Sequence, residues 1–401
     1  MDDLNEAILA IRKIIFDCPI EDYPWYKRDS KSNRKVKRQE QMYRNFIESY
    51  LNVISGMLKR KIYDDFFHTH SKCIESSQEW YDLQKRLNTS TNQGTLVSFK
   101  TSLERNAYTL NFLTKRASYI LGLFGYAEKG ISLVRESFLA KNNISVCSFG
   151  GGPGFSLIGF YGYLLFDRQF HEKNILWYIF DYEEAWCEQV EIVISIINEL
   201  RTNLQQHDSK SLPCITVKFS VCDVQSSIIE VHRERNRWKN ARVKEIMRDC
   251  SFDLLLYSYV LVENSISLRD GNYIFVKDAL KIASIAKQTG DNPEETIFCF
   301  VLDSTHRIFP GLINTIMSIN ENSHFVPKFK RKRGLPRNAL LILFPQIRVN
   351  LTGCNKNNMA DELYCKHGFM SAIDLGKDED IEKFVIDCES QEKWRKQRAD
   401  K

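Results

Sequence analysis

Four glycines fall within the five residues 150–154, between the apolar run Ile144–Phe149 and a second apolar run that starts at Phe155. Glycine alone adopts positive φ without strain and lets a ligand approach the main chain closely. A helix starting just after such a turn points its positive end and its unpaired N–H groups at whatever binds there. A plain strand-to-helix turn does not need four residues that each lose so much entropy on folding, so the segment reads as a ligand-binding turn. Spacing narrows the ligand. A dinucleotide fingerprint needs GxGxxG and a phosphate loop needs GxxxxGK with Ser or Thr. Counting from Gly150 the sixth position is Phe155, counting from Gly152 it is Leu157, and the turn holds no lysine. The pattern present is GxGxG, at Gly150, Gly152 and Gly154.

From Ile144 onward, short apolar runs alternate with helical stretches, which argues for a mainly parallel sheet with helices on both faces. The strands expected are Ser145–Phe149, Leu176–Phe180, Ile215–Val221, Phe252–Tyr257 and Thr296–Leu302. Two further runs, Phe325–Phe329 and Ala339–Phe344, flank a Gly334-Leu335-Pro336 turn and read as an antiparallel hairpin at one sheet edge. The fold class expected is therefore α/β, a doubly wound, mainly parallel seven-stranded sheet with an antiparallel C-terminal hairpin. Ahead of it, residues 1–104 read as an N-terminal helical region, with Leu4, Ile8, Ile11 and Ile15, then Tyr43, Phe46, Tyr50 and Ile54, at helical spacing. Residues 105–350 form the main domain, entered by amphipathic helices over Ala107–Lys141. Residues 351–401 are a charged tail with one short helix near Ile381–Cys388.

The 401-residue length and 43% hydrophobic content suit one large domain with an appendage. The longest apolar runs, such as Ile192–Ile197, fall far short of the roughly 20 residues that span a bilayer. The acidic, amphipathic start lacks the pattern of a secretory signal. The 11 cysteines are odd in number and scattered, with Cys147, Cys222 and Cys299 in or beside strand-like runs, as in a reduced compartment. An intracellular protein, cytoplasmic or nuclear, is expected. No CxxC pair occurs, and Cys354, Cys365 and His367 match no zinc spacing, so no metal is expected.

The segment Ser148-Phe149-Gly150-Gly151-Gly152-Pro153-Gly154 resembles motif I of class I S-adenosylmethionine-dependent methyltransferases, an acidic residue followed by xGxGxG. Here Ser148 stands in the acidic place, where the family contacts the methionine part of the cofactor. The resemblance covers about residues 107–347 and implies S-adenosylmethionine as cofactor. It implies that Asp181, closing the second strand, accepts hydrogen bonds from the ribose hydroxyls, as acids do at that point of nucleoside-binding sheets. It places Asp223, after the third strand, on the adenine. Tyr257, Ser258 and Tyr259, after the fourth strand, would line the methyl-transfer site. Each has a plainer reading: helix cap for Asp181, loop or cap aspartate for Asp223, strand-end packing for the last three. The Asn/Asp-Pro-Pro-aromatic signature of amino-group methylases is absent, as is the cysteine pair of pyrimidine-carbon methylases. Glu263, Asp303 and His306 are the candidates for a general base.

The net charge of +5 is modest, so nucleic-acid binding has to be argued from local clusters. Three exist: Lys27–Arg38, Arg233–Lys244 and Lys328–Arg337. The third, with Lys328, Lys330, Arg331, Lys332 and Arg333 beside the aromatics Phe325 and Phe329, could contact RNA phosphates while the aromatics stack on bases. A solvated charged face explains each cluster equally well. The turn serine and the Ser258–Glu263 stretch are loosely similar to fungal ribosomal RNA uridine methyltransferases, which ranks RNA first among acceptors. A protein or small-molecule acceptor, or a module that keeps the fold without activity, are the competing readings.

Overall fold

The computed structural model describes residues 2–17, 34–70, 78–93, 99–126, 129–206, 211–229, 237–258, 260–263, 273–288, 295–303, 339–345 and 371–374, with positions 312, 379 and 383. In the N-terminal part these form α1 (Asp2–Arg12), α2 (Arg34–His70), α3 (Gln78–Gln93), α4 (Ser102–Tyr126) and α5 (Lys129–Leu139). Strand and helix then alternate through β1 (Asn143–Phe149), α6 (Phe155–Phe166), β2 (Asn174–Asp181), α7 (Trp186–Gln205), β3 (Cys214–Val221) and α8 (Arg237–Asp249). There follow β4 (Leu254–Ser258), the short α9 (Val260–Glu263), α10 (Ile274–Gln288) and β5 (Ile297–Asp303).

These five strands are parallel and lie in the order β3-β2-β1-β4-β5. The order reverses between β1 and β4, opening the crevice at the strands' carboxyl ends where doubly wound sheets bind ligands. Beyond β5, residues Ala339–Pro345 (β6) pair with it in parallel, and Ser371–Asp374 (β7) pair antiparallel with β6. This corrects the expected hairpin: the antiparallel partner of Ala339–Pro345 comes from the tail. The other expected arm, Phe325–Phe329, lies outside the described residues, as does most of the stretch expected to form a tail helix.

Side-chain alternation divides the core into two clusters. Val146, Trp177, Ile179, Leu254 and Leu256 face α4, α6 and α7, whereas Cys147, Phe149, Phe180, Leu255 and Tyr257 face α8 and α10. α6 is buried along its whole length because the sheet lies beneath it and the N-terminal helices cover it. The Tyr50 hydroxyl of α2 donates to the Ile158 carbonyl at 2.7 Å, and a Cβ on Gly162 would meet the Tyr50 ring at 2.5 Å. Ile8, Ile11, Tyr43, Phe46 and Tyr50 thus join the same core as the sheet. Each such burial is worth roughly 1.5–3 kcal/mol, so α1 and α2 form a third layer that the sheet's outer helices depend on. The boundary expected at 104/105 falls inside α4, which runs unbroken across it. No described helix is long and apolar enough to cross a membrane.

Candidate functional site

β1 ends at Phe149 and the chain turns at once. The Gly150 N–H donates to the Phe180 carbonyl at 2.8 Å, which pins the turn to the end of β2. Gly150, Gly152 and Gly154 take φ of 61°, 49° and 90°, the same three positions the GxGxG spacing singles out. Two of them carry distinct constraints. A Cβ on Gly150 would lie 2.4 Å from a Val260 methyl, so α9 sits directly against the turn. A Cβ on Gly152 would meet nothing within 4 Å, because that residue opens onto a cavity.

The cavity holds about 690 Å³, within the range of sites for small molecules. Its floor is the turn and the start of α6, from Gly150 to Ser156 except Gly154. Asp181, Tyr182 and Glu183 line the side at the end of β2, Asp223, Val224 and Gln225 the side at the end of β3, and Ser258 with Val260 the side at the end of β4. Carboxylates from two strands and a glycine turn from a third therefore meet in one crevice.

Asp181 is half-buried, and its Oδ2 accepts from the Gly152 N–H at 2.8 Å while its Oδ1 accepts from the Glu183 N–H at 3.2 Å. One side chain thereby fixes the turn's conformation and lines the cavity. Asp223 is buried: Oδ1 accepts from the Gln225 N–H at 3.0 Å and Oδ2 from the Ser226 hydroxyl at 2.9 Å. Its own N–H donates to Asn240 Oδ1, and Asn240 Nδ2 donates to its carbonyl, so α8 locks the loop. The plainer reading of Asp223 as a loop aspartate describes these bonds, and the residue still lines the cavity. Between the two acids lies Cys222, whose thiol is pushed well up by burial, then by the nearby Asp181 and Asp223 charges.

Two expected site residues lie elsewhere. Ser148 is buried on the sheet face under α6 and α7 and does not line the cavity; its hydroxyl, which has no hydrogen-bond partner, sits under Gly151. Tyr257 is buried on the opposite face, its ring stacked on Phe149 at 4.9 Å. Burial, then the neighbouring Cys299 and Cys147, push its phenol well above the ordinary value, and it takes no part in the cavity wall. Alternation on a strand is the reason for Tyr257, whose neighbour Ser258 faces the cavity, whereas Ser148 lies within β1, one residue short of the strand's end and two before the turn begins. Ser258 lines the cavity, whereas Tyr259 lies outside the described residues. Glu263 closes α9 and Asp303 closes β5, without described side chains, and His306 lies outside the described residues.

The ceiling is made of residues the motif does not contain. Thr101 and Glu104 form a reciprocal capping box at the start of α4, with the Glu104 N–H to Thr101 Oγ1 at 3.1 Å and the Thr101 N–H to Glu104 Oε2 at 3.0 Å. Arg105 donates to the carbonyls of Phe99 and Lys100 and pairs with Glu188 of α7 at 2.6 Å. That brings Phe99, Tyr108 and Trp186 together, with ring centroids 4.8 to 5.7 Å apart, over the turn. Arg116, four and eight residues beyond Phe112 and Tyr108 on the same stripe, places its guanidinium 5.4 to 5.8 Å from the rings of Tyr108, Phe112 and Phe155. At the rim, exposed Tyr182 carries the Lys239 ammonium 3.5 Å from its ring centre. Of the three basic clusters, Arg233–Lys244 is the one the described residues bring to the site, through Lys239. Lys328–Arg333 and most of Lys27–Arg38 lie outside them.

No protein-family model matches this chain, and no curated protein matches it.

Proposed function

We propose that the protein is an S-adenosylmethionine-dependent methyltransferase. The observation that carries this reading is the Gly152–Asp181 pair: a left-handed glycine with open space before its Cβ, its N–H held by the carboxylate that closes β2. An adenosyl ligand needs a main chain it can touch and a carboxylate for two vicinal hydroxyls, and both stand here on one wall of a cavity of sufficient size. Asp223 and the backbone after it sit across the same crevice, at the place suited to an adenine amino group. Ser148 departs from the family pattern in type, standing where the motif has an acid.

Bound in this crevice, S-adenosylmethionine would supply an electrophilic methyl group on a sulfonium. The chain's own residues would align and enclose. Gly150, tied to Phe180, and Val260, packed against it, would fix the ligand's approach beside Ser258 at the end of β4. Phe99, Tyr108 and Trp186 would keep water from above. Holding two reactants in line and excluding water supplies much of the acceleration such a transfer needs, without a protein nucleophile.

RNA is the proposed acceptor, on the basic segment Lys328–Arg333 and on the Tyr182–Lys239 pair at the rim, which suits a base and a phosphate. A catalytically inactive binding module that keeps the fold is the second reading, favoured by the absence of an acid at position 148. The test is transfer of radiolabelled methyl from S-adenosylmethionine to fractionated cell extract. Label in the RNA fraction, lost with Asp181→Asn, is the expected result. Label in protein or small molecules would overturn the acceptor, and label nowhere would favour the module.

A further inference from the structure

The cavity is polarised in charge. Asp181, Glu183 and Asp223 enter it from the ends of β2 and β3, and its cations, Lys100 and Arg116, enter from α4 and the segment leading into it. α4 crosses from the start of α7, through the Tyr108–Trp186 contact, over α6 and towards β5, where Phe124 meets Phe300 at 5.7 Å. A ligand filling this space would have hydrogen-bond donors at one end and an anionic group at the other.

We propose that Arg116, assisted by Lys100, binds the carboxylate of the amino-acid portion of an adenosyl ligand, and so makes the N-terminal helical layer the part that selects amino-acid-bearing adenosyl compounds. This rests on the cofactor reading above and assigns a role to residues outside its motif. The guanidinium is half-buried over three rings, an environment that strips water from a cation and strengthens its charge-assisted hydrogen bonds to a carboxylate. Arginine tolerates that setting because it is weakly hydrated and always charged. A polynucleotide phosphate is the rival occupant. It is disfavoured because Arg116 is half-buried against Tyr108, Phe112 and Phe155 in the cavity wall, whereas Lys239 lies over the ring of exposed Tyr182.

The test compares two ligands that share the adenosyl thioether, S-adenosylhomocysteine, which has the amino-acid carboxylate, and 5′-methylthioadenosine, which lacks it. Calorimetric titration of the full chain is expected to show that Arg116→Gln loses about 10- to 100-fold in affinity for the first and less than about 2-fold for the second. Arg116→Lys should recover part of the loss. Lys100→Gln, at an exposed position, should show a smaller loss of the same selectivity, and carries the test should Arg116→Gln not fold. Equal losses on both ligands would make Arg116 a packing residue only and overturn the proposal. So would unchanged affinity for S-adenosylhomocysteine, including the case where only RNA binding falls. Should the unaltered chain bind neither ligand, the cofactor reading fails first and this one with it.

Discussion

The two edges of the parallel sheet use charge in opposite ways. At the amino edge, Asp253 and Glu295 face Lys141 and Lys287 and each carboxylate contacts both ammonium groups. Asp253 also accepts from the Ser145 N–H at 2.8 Å, and its main chain bonds Ser145 and Phe298. Three strands are thus stitched together, and the four charges of this cluster cancel. At the carboxyl edge, Asp181 and Asp223 are held by main-chain donors or a hydroxyl and line an open cavity. Charges that neutralise each other in a closed cluster hold a fold together, whereas those held at a cavity wall leave room for a ligand beside them.

Removing the central carboxylate of the amino edge should have the largest effect. Asp253→Ala leaves Lys287 buried with half its partners gone, and a loss of about 3–5 kcal/mol in urea unfolding is expected. Burial would lift the Glu295 carboxyl, but hydrogen bonds and charge from Lys141 and Lys287 outweigh it and hold it at about 2. Its contribution is therefore present above the unfolded carboxyl value of about 4.3 and fades as pH falls towards 2. Burial works against the Lys141 ammonium too, yet Asp253 and Glu295 outweigh it and raise its pKa. That contribution is present below about 10.4 and fades as pH rises through the raised value. Urea midpoints measured against pH should keep the acid slope of Glu295 in Asp253→Ala, because both of its lysine partners remain, and lose part of the alkaline slope of Lys141; an alkaline slope left unchanged would separate Asp253 from the charge cluster.

At the other edge, stability should fall less and binding should fall with it. Gly152→Ala forces a Cβ into positive φ, costing about 1–2 kcal/mol in stability, and the methyl projects into the cavity. Affinity for S-adenosylhomocysteine should fall at least about 10-fold, comparable to losing a good charge-assisted contact. Unchanged affinity would mean that the turn does not touch the ligand.

The sequence patterns carried the parallel sheet and the turn well because both depend on local chemistry. The apolar runs located β1 to β5 to within two residues, and the GxGxG spacing marked the three positive-φ positions. Tyr257 lies off the cavity because a one-residue shift along a strand exchanges crevice for core, and an apolar run buried on both faces carries no alternation to show which side is which; Ser148 lies off it because β1 continues one residue further before the chain turns. Trp186, Tyr108 and Arg116 were not read as site residues for a different reason. An aromatic stripe at helical spacing has the same pattern whether it packs in a core or roofs a cavity, and it is long-range bonds between α4 and α7, Arg105–Glu188 and Asn106–Gln189 among them, that bring it over the turn. The one local hint was the Thr101–Glu104 capping box, which fixes where α4 starts and hence where Phe99 and Lys100 stand.

The central claim is that the carboxyl edge of the sheet holds an adenosyl sulfonium ligand, and calorimetric titration of the full chain with S-adenosylmethionine measures it directly. Saturable heat for one site per chain, weakened at least about 10-fold by Asp181→Asn, is the expected result. Absence of saturable heat from a folded chain, or binding indifferent to Asp181→Asn, would contradict it.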